Sequence, residues 1–376
     1  MTSIAFTAPG ASNSCRLTPL FVCFVRSLVN TRNKLANVST RKLRLNTMNH
    51  ALALTRSVCA IAGEPSLIED IRVEFENNGI LTAIQHHDDA VIFEWLAEGT
   101  SYQGIADAVV TSYLDQHGRI RHLDIERALA IQEHRCAKLQ SYWHFRHCGY
   151  RKSAHSCSWP EFMSDCSLPK HNLRNGGLNQ SAYSLYLFMR DVAGGDFVSW
   201  VDRQLAVADR PMSRNRSHVL CAALLEPLSR VYGLSYKVLS MTLASLLLAG
   251  DQTRERWVCA GAGFVAVDTL VHAWLHRTGL LRDLGAAHPY GTRCYGANAC
   301  AAIIERIARR IDVRTFNPDF PKTFPRFVQK SIWRFCAQSE LNRCNGVQID
   351  DRNSCLDEGC PLFTRCDRIA LNPDKA

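Results

Sequence analysis

The chain has 376 residues, 47% of them hydrophobic and 21% charged, a balance that suits two or three packed domains and excludes a wholly disordered, collagenous or low-complexity protein. Its net charge of +9 does not describe a basic body: residues 1–47 hold Arg16, Arg26, Arg32, Lys34, Arg41, Lys42 and Arg44 with no acid, which leaves 37 basic against 35 acidic side chains elsewhere. Sixteen cysteines are too sparse for a disulfide scaffold, and with no secretory signal pattern a reducing compartment is expected, where clustered thiols are read first as metal ligands.

Residues 1–47 form a basic leader rich in Ser, Thr and Asn, expected to be disordered or to lie upstream of a true start at Met48, with an organelle transit peptide as the lesser alternative. From 48 to 135 short helical patterns alternate with turns. Val91, Ile92 and Leu96 can share a face with Trp95, and Ser101–Gly118 reads as a further helix with Ile105, Val109, Val110 and Tyr113 inward, punctuated by Gly99, Gly104 and Gly118. This is expected to be a small N-terminal helical domain without catalytic residues.

From 136 to 170 the periodicity breaks and cysteine, aromatic and basic residues take over. An insertion this irregular needs a staple, and Cys148-x8-Cys157-x8-Cys166, with Cys136, His147 or His155 as a fourth ligand, can hold zinc. Buried free thiols are the alternative. Tyr142, Trp143 and Trp159 interleaved with Arg146, Arg151 and Lys152 also suit a loop that stacks on unpaired bases while meeting phosphates.

Helical periodicity returns over 171–335, so the fold class is mainly α. Leu178–Val192 is apolar around most of its circumference and is closed by Gly194 and Gly195, which predicts a central core helix. Val238–Gly250 is the longest apolar run, yet it contains Ser240, Thr242 and Ser245 and falls short of the roughly 18 residues that span a bilayer, so a buried helix and no membrane segment are expected. Asp268 then stands before a helix with Val271, Trp274 and Leu275 at helical spacing and Gly279 at its end, which makes it an N-cap candidate. Cys344, Cys355, Cys360 and Cys366 crowd the last segment, 336–376, while Cys336 is placed in the core of a preceding helix drawn over 327–338. Cys15, Cys23, Cys59, Cys221, Cys259, Cys294 and Cys300 read as scattered core or leader residues.

Val267-Asp268-Thr269, followed by an apolar helix ending in Arg277-x-Gly279, resembles the V-D-T-H-V-x-R-V-x-x-R-x-G signature of the helix-hairpin-helix (HhH-GPD) DNA glycosylases of the endonuclease III kind. The resemblance covers about residues 171–368 and implies a two-lobed helical core with Asp268 as the essential carboxylate. Leu248–Arg254 falls where that family has its L-P-G-V-G-x-K-T-A hairpin. Gly250 is kept, Gln252 replaces the second glycine, and Arg254 stands near the lysine of the bifunctional members. Arginine stays protonated and forms no Schiff base, so the resemblance implies a monofunctional enzyme. Cys344-x10-Cys355-x4-Cys360-x5-Cys366, with Pro361 after the third thiol, resembles the family's C-terminal 4Fe-4S loop, C-x6-C-x2-C-x5-C, zinc being the competitor. Gly250, Arg254 and Gln180 are the implied DNA contacts, Gln180 also reading as a structural amide. The basic residues Arg306, Arg309, Arg310, Arg314, Lys322, Arg326, Lys330 and Arg334 suit either a solvated face or phosphates.

The expectation is a DNA-repair-like glycosylase that binds DNA, cytoplasmic or nucleoid-associated; the alternative is a non-catalytic nucleic-acid-binding iron–sulfur or zinc protein of the same fold.

Overall fold

A computed structural model describes residues 46–102, 107–132, 136–151, 153–170 and 177–373. Most of the basic leader, together with Gly104, Ile105 and Lys152, lies outside the described residues. Packing divides the chain into units 1–50 and 51–376. Of the first, only residues 46–50 are described, as helix.

The described residues are mainly helical, as the periodicity predicts. In chain order they form α1 (Asn46–Ala62), α2 (Leu67–Asn77), α3 (Ile80–His86), α4 (Asp89–Ser101), α5 (Asp107–His117), α6 (His122–Gln132) and α7 (Tyr142–Phe145). A two-residue antiparallel ribbon follows, β1 (Tyr150–Arg151) against β2 (Ser156–Cys157), with Tyr150 opposite Cys157. Then come α8 (Gly177–Asp191), α9 (Phe197–Ala208), α10 (Arg216–Leu228), α11 (Tyr236–Ala249), α12 (Glu255–Gly263), α13 (Thr269–Arg277), α14 (Leu280–Asp283), α15 (Cys300–Ala308) and α16 (Pro325–Cys336). No single helix among the described residues is long and apolar enough to cross a membrane.

Local chemistry sets these boundaries. Asp88, Asp196, Ser235 and Asp268 each accept a backbone N–H from the first turn of the helix they precede, satisfying donors that the helix leaves orphaned. Gly194 and Gly195 sit at φ 78° and 73° after α8, a left-handed pair open to glycine at no steric cost. The helix drawn over 327–338 runs instead from Pro325 to Cys336, because a proline at the first helical position is pre-set for helix entry. The helix expected from Ser101 begins later: Ser101 ends α4, and α5 starts at Asp107, with Val110 buried and Val109 exposed rather than inward. Gly99 lies inside α4, not in a turn, and a Cβ there would stand 2.7 Å from Thr242 Cγ2 of α11.

The core is built on α8 and α11. From Asn179 to Met189 every side chain of α8 is buried, as befits a helix covered on all sides. α4 packs on α8, with Phe93 edge-on to Tyr186 at 6.1 Å, so the N-terminal helices share the core of unit 51–376. α11 packs on α12, α12 also on α10 and α16, and α16 on α13. Trp257 and Trp274 are fully buried between these layers, and each holds several kcal/mol of burial, by the roughly 3–5 kcal/mol that truncating such a residue costs.

Candidate functional site: one helix between a carboxylate and two thiol centres

Helix α13 organises the site. At its N-terminus Asp268 accepts the Val271 N–H at 2.8 Å, which confirms the cap read from sequence. Burial raises the Asp268 pKa above the usual carboxylate range, with the Val271 bond and Lys237 opposing. Tyr295 hydroxyl accepts the Val267 N–H at 2.9 Å and its ring stacks on Tyr236 at 5.3 Å. Burial draws the Arg326 guanidinium down to about 10, with Asp268 and Tyr295 pulling the other way. Asp268 therefore lies among two stacked tyrosines and two cations.

The other end of α13 meets the C-terminal cysteines. Gly279, at φ 80°, lets the chain turn so closely that a Cβ would lie 2.1 Å from Asp367 Oδ2. Ile369 N–H donates to the Arg277 carbonyl at 2.9 Å, and His276 Nε2 bonds the Ala370 carbonyl at 3.1 Å. Cys344, Cys355, Cys360 and Cys366 all line one cavity of about 20 Å³, counted as space open to the centre of a water molecule, together with Trp274, Arg277 and Arg368. Cys336 stands apart from it, at the buried end of α16, and its thiol hydrogen-bonds Cys344, which lowers the Cys344 pKa.

The polar atoms of that cavity are informative. Arg277 is 1% exposed and pairs with Asp351 through Nη2, while its Nε and Nη1, Trp274 Nε1 and Arg368 Nε are buried with no hydrogen-bond partner among the described residues. Buried donors left unpaired cost about 1–3 kcal/mol each. Four orphaned donors around four thiols thus call for an anionic group rich in acceptors. Four thiolates together with N–H donors that inorganic sulfide can accept from fit a 4Fe-4S cluster. Amide N–H groups two residues on already approach Cys360 and Cys366, from Leu362 and Arg368.

A second set of thiols lies in the irregular segment. Cys136, Cys148, Cys157 and Cys166 line a cavity of about 10 Å³ in the same measure. Of the three fourth ligands considered, Cys136 is the one at this cavity; His147 and His155 are exposed. Here too the amides two residues on, at Tyr150, Trp159 and Leu168, donate to Cys148, Cys157 and Cys166. Burial pushes the Cys166 thiol up to about 11, so a metal bound here must displace protons.

A third group escaped the sequence reading. Cys294 and Cys300, which read from sequence as scattered core residues, stand with His272 and His288, and among the described residues their four ligand atoms all lie within 4.8 Å of one another. This is a cysteine–histidine group able to bind a metal. Its signal in the sequence is His272-x15-His288-x5-Cys294-x5-Cys300, hidden because His272 lies inside the α13 pattern and the other three follow in loop and helix start.

The implied DNA contacts are placed as follows. Gly250 ends α11 with φ −66°, and a Cβ there would lie 2.5 Å from the Leu246 carbonyl oxygen and 2.7 Å from Ile84 Cδ1. It is held by packing. Arg254 pairs with Asp202 at 2.8 Å and Asp251 at 3.0 Å and lies over the Trp257 ring. Gln180, 5% exposed, donates to the Tyr150 carbonyl at 3.3 Å. Three of the eight basic residues of that stretch are paired with acids: Arg309 with Glu305, Arg314 with Asp312, and Arg334 with Glu64 and Glu340. No protein-family model, curated protein or solved structure matches the chain.

Proposed function

We propose that the chain is a base-excision DNA glycosylase of the helix-hairpin-helix kind, monofunctional, with a 4Fe-4S cluster on Cys344, Cys355, Cys360 and Cys366. The observation that carries this reading is the convergence of those four thiols and four orphaned donors on one end of the helix that Asp268 caps at the other. The turn between α11 and α12 adds a hairpin ahead of Asp268 in the expected order. When bound, the cluster supplies a four-armed covalent tie and a fixed charge.

The chemistry falls to the chain's own side chains. A flipped nucleotide enters beside Asp268, where Tyr236 and Tyr290, 37% and 46% exposed, offer stacking faces. The N-glycosidic bond breaks with its electron pair leaving on the base, and the Asp268 carboxylate stabilises the oxocarbenium charge at C1′. Water then gives its hydroxyl to C1′ and its proton to the departing base. An N-cap uses one of about four lone-pair positions on the carboxylate, so capping and catalysis are compatible.

The second reading, a non-catalytic nucleic-acid-binding iron–sulfur or zinc protein, is favoured by the hairpin. Gln252 replaces a glycine whose backbone N–H would approach a phosphate, and Arg254 is already held by two acids. Full-length protein purified without oxygen decides between them. A band near ~400 nm with roughly four iron and four sulfide per chain, and release of a damaged base from duplex DNA that Asp268→Asn abolishes, establish the enzyme. Cluster and salt-sensitive DNA binding without base release establish the second reading. Zinc without sulfide at the C-terminal thiols overturns both the cluster and the family resemblance.

A further inference from the structure

We infer that His272, His288, Cys294 and Cys300 form a closed structural zinc site, separate from both four-thiol cavities, that ties the loop after α14 to the helix bearing Asp268. This does not depend on the base-excision reading. A tetrahedral zinc with bonds of about 2.3 Å to sulfur and 2.0–2.1 Å to nitrogen separates neighbouring N and S ligands by about 3.5 Å. The distances found are 3.3 Å from His272 Nδ1 to Cys300 Sγ, 3.5 Å from His272 Nδ1 to Cys294 Sγ and 3.4 Å from His288 Nε2 to Cys300 Sγ.

The surroundings support a metal over a plain hydrogen-bonded cluster. His288 Nδ1 bonds the Ala286 carbonyl at 2.6 Å. A carbonyl only accepts, so Nδ1 carries the proton and Nε2 presents its lone pair to the two-sulfur group, the outer-shell device that orients zinc-bound histidines. Cys294 and Cys300 are fully buried and His272 is 8% exposed, so the site is closed to solvent on three of its four members. Two soft sulfurs and two imidazoles with no open position match structural zinc and exclude calcium and magnesium, which take oxygen. No disulfide ties the segment, since both thiols are free.

The segment also needs a tie. Between Asp283 and Cys300 the only regular structure is the short 3-10 turn Thr292–Tyr295, and Gly285 and Gly291 lie at φ 65° and 142°. That turn delivers Tyr295, which holds the Val267 backbone beside Asp268. Zinc would therefore fix the position of the carboxylate indirectly, as a positioning site.

The test uses the full chain, purified without chelator and free of any affinity tag. Metal analysis of wild type, Cys300→Ser and His288→Ala should show roughly one zinc per chain fewer in each variant with iron unchanged. Because Cys300→Ser can fail to fold, wild type is also treated with a zinc chelator and alkylated, with the modified peptides mapped. Cys294 and Cys300 should become reactive only as zinc is released. Unchanged zinc in folded His288→Ala, or alkylation of Cys294 and Cys300 indifferent to the chelator, overturns the site.

Discussion

Replacing Arg277 with methionine separates the two meanings of its burial. In the metal-free chain a guanidinium 1% exposed faces four thiols with Nε and Nη1 unpartnered, and exchanging a buried ion pair for an apolar side chain of similar size is often neutral or stabilising. Its partner Asp351 is 42% exposed, so water takes over that carboxylate at little cost. With an anionic cluster in the cavity the two donors bond its sulfurs, and hydrogen bonds to a charged group contribute about 1.5–3 kcal/mol each. Arg277→Met should then destabilise the loaded protein by roughly 3 kcal/mol relative to the stripped protein. Unfolding entropy of about 2.1 cal/mol/K per residue over the unit 51–376 converts this to a fall in Tm of about 4 °C in the loaded form alone. The assay is anaerobic calorimetry of wild type and variant, loaded and stripped, with iron and sulfide measured on each sample. An equal shift in both forms would falsify the view that these donors exist to serve a bound cluster.

Gly279→Ala places a Cβ against Asp367 Oδ2 at a residue with φ 80°. The left-handed conformation alone costs about 1–2 kcal/mol, so urea unfolding should show at least that loss, with faster iron release; an unchanged midpoint would show that the C-terminal segment does not dock on α13. Asp268→Asn keeps a good N-cap and should change stability by less than about 0.5 kcal/mol while removing base release. A large loss of stability would instead make the carboxylate a structural requirement. Hydrogen bonds from Arg216 and Arg256 lower the Asp209 pKa to about 2. A depressed carboxylate contributes stability that is fully present above its unfolded value near 3.8 and is lost as pH falls through about 2. The stability gap between wild type and Asp209→Asn should therefore be constant above about pH 5 and close towards pH 2; a gap that stays open at pH 2 would mean the pairing with Arg216 and Arg256 is not its source.

What the sequence made legible was whatever a local rule controls. The Asp268 cap, the all-round apolar α8 and the helix in the run from Val238 each follow from residues within one or two turns. That Cys344, Cys355, Cys360 and Cys366 come together around one cavity was legible from their density in a short segment. The zinc-like group was not, since its ligands are spread over 29 positions and three kinds of local structure, and a buried cysteine on a helix reads as an ordinary small hydrophobe until its partners are known. Arg277 was seen only as part of a motif. Its orphaned donors depend on Asp351 and on a loop 60 to 90 residues away, contacts that periodicity does not encode.

These observations make α13 a short rod with a group of metal-ligating side-chain types at each side of its reach. Nine residues at about 1.5 Å rise give it a length of roughly 14 Å. His272 on its first turns joins the histidine–cysteine group, and Trp274 and Arg277 on its last turn line the C-terminal thiol cavity. Its N-cap is Asp268. A helix this short is marginal by itself, so its position is set by what grips it. Removing metal from the histidine–cysteine group should loosen the Tyr295 and Val267 contacts first, whereas removing it from the C-terminal cavity should loosen the Gly279 turn, the bond that Ile369 N–H donates to the Arg277 carbonyl and the His276 bond to the Ala370 carbonyl. Hydrogen exchange on the two stripped forms distinguishes these ends. Faster exchange at Val267 and Val271 with the C-terminal end protected assigns Asp268's position to the zinc-like group. The opposite pattern assigns it to the cavity, and equal loosening at both ends would mean that α13 moves as one piece and that both centres act on Asp268 through the whole helix.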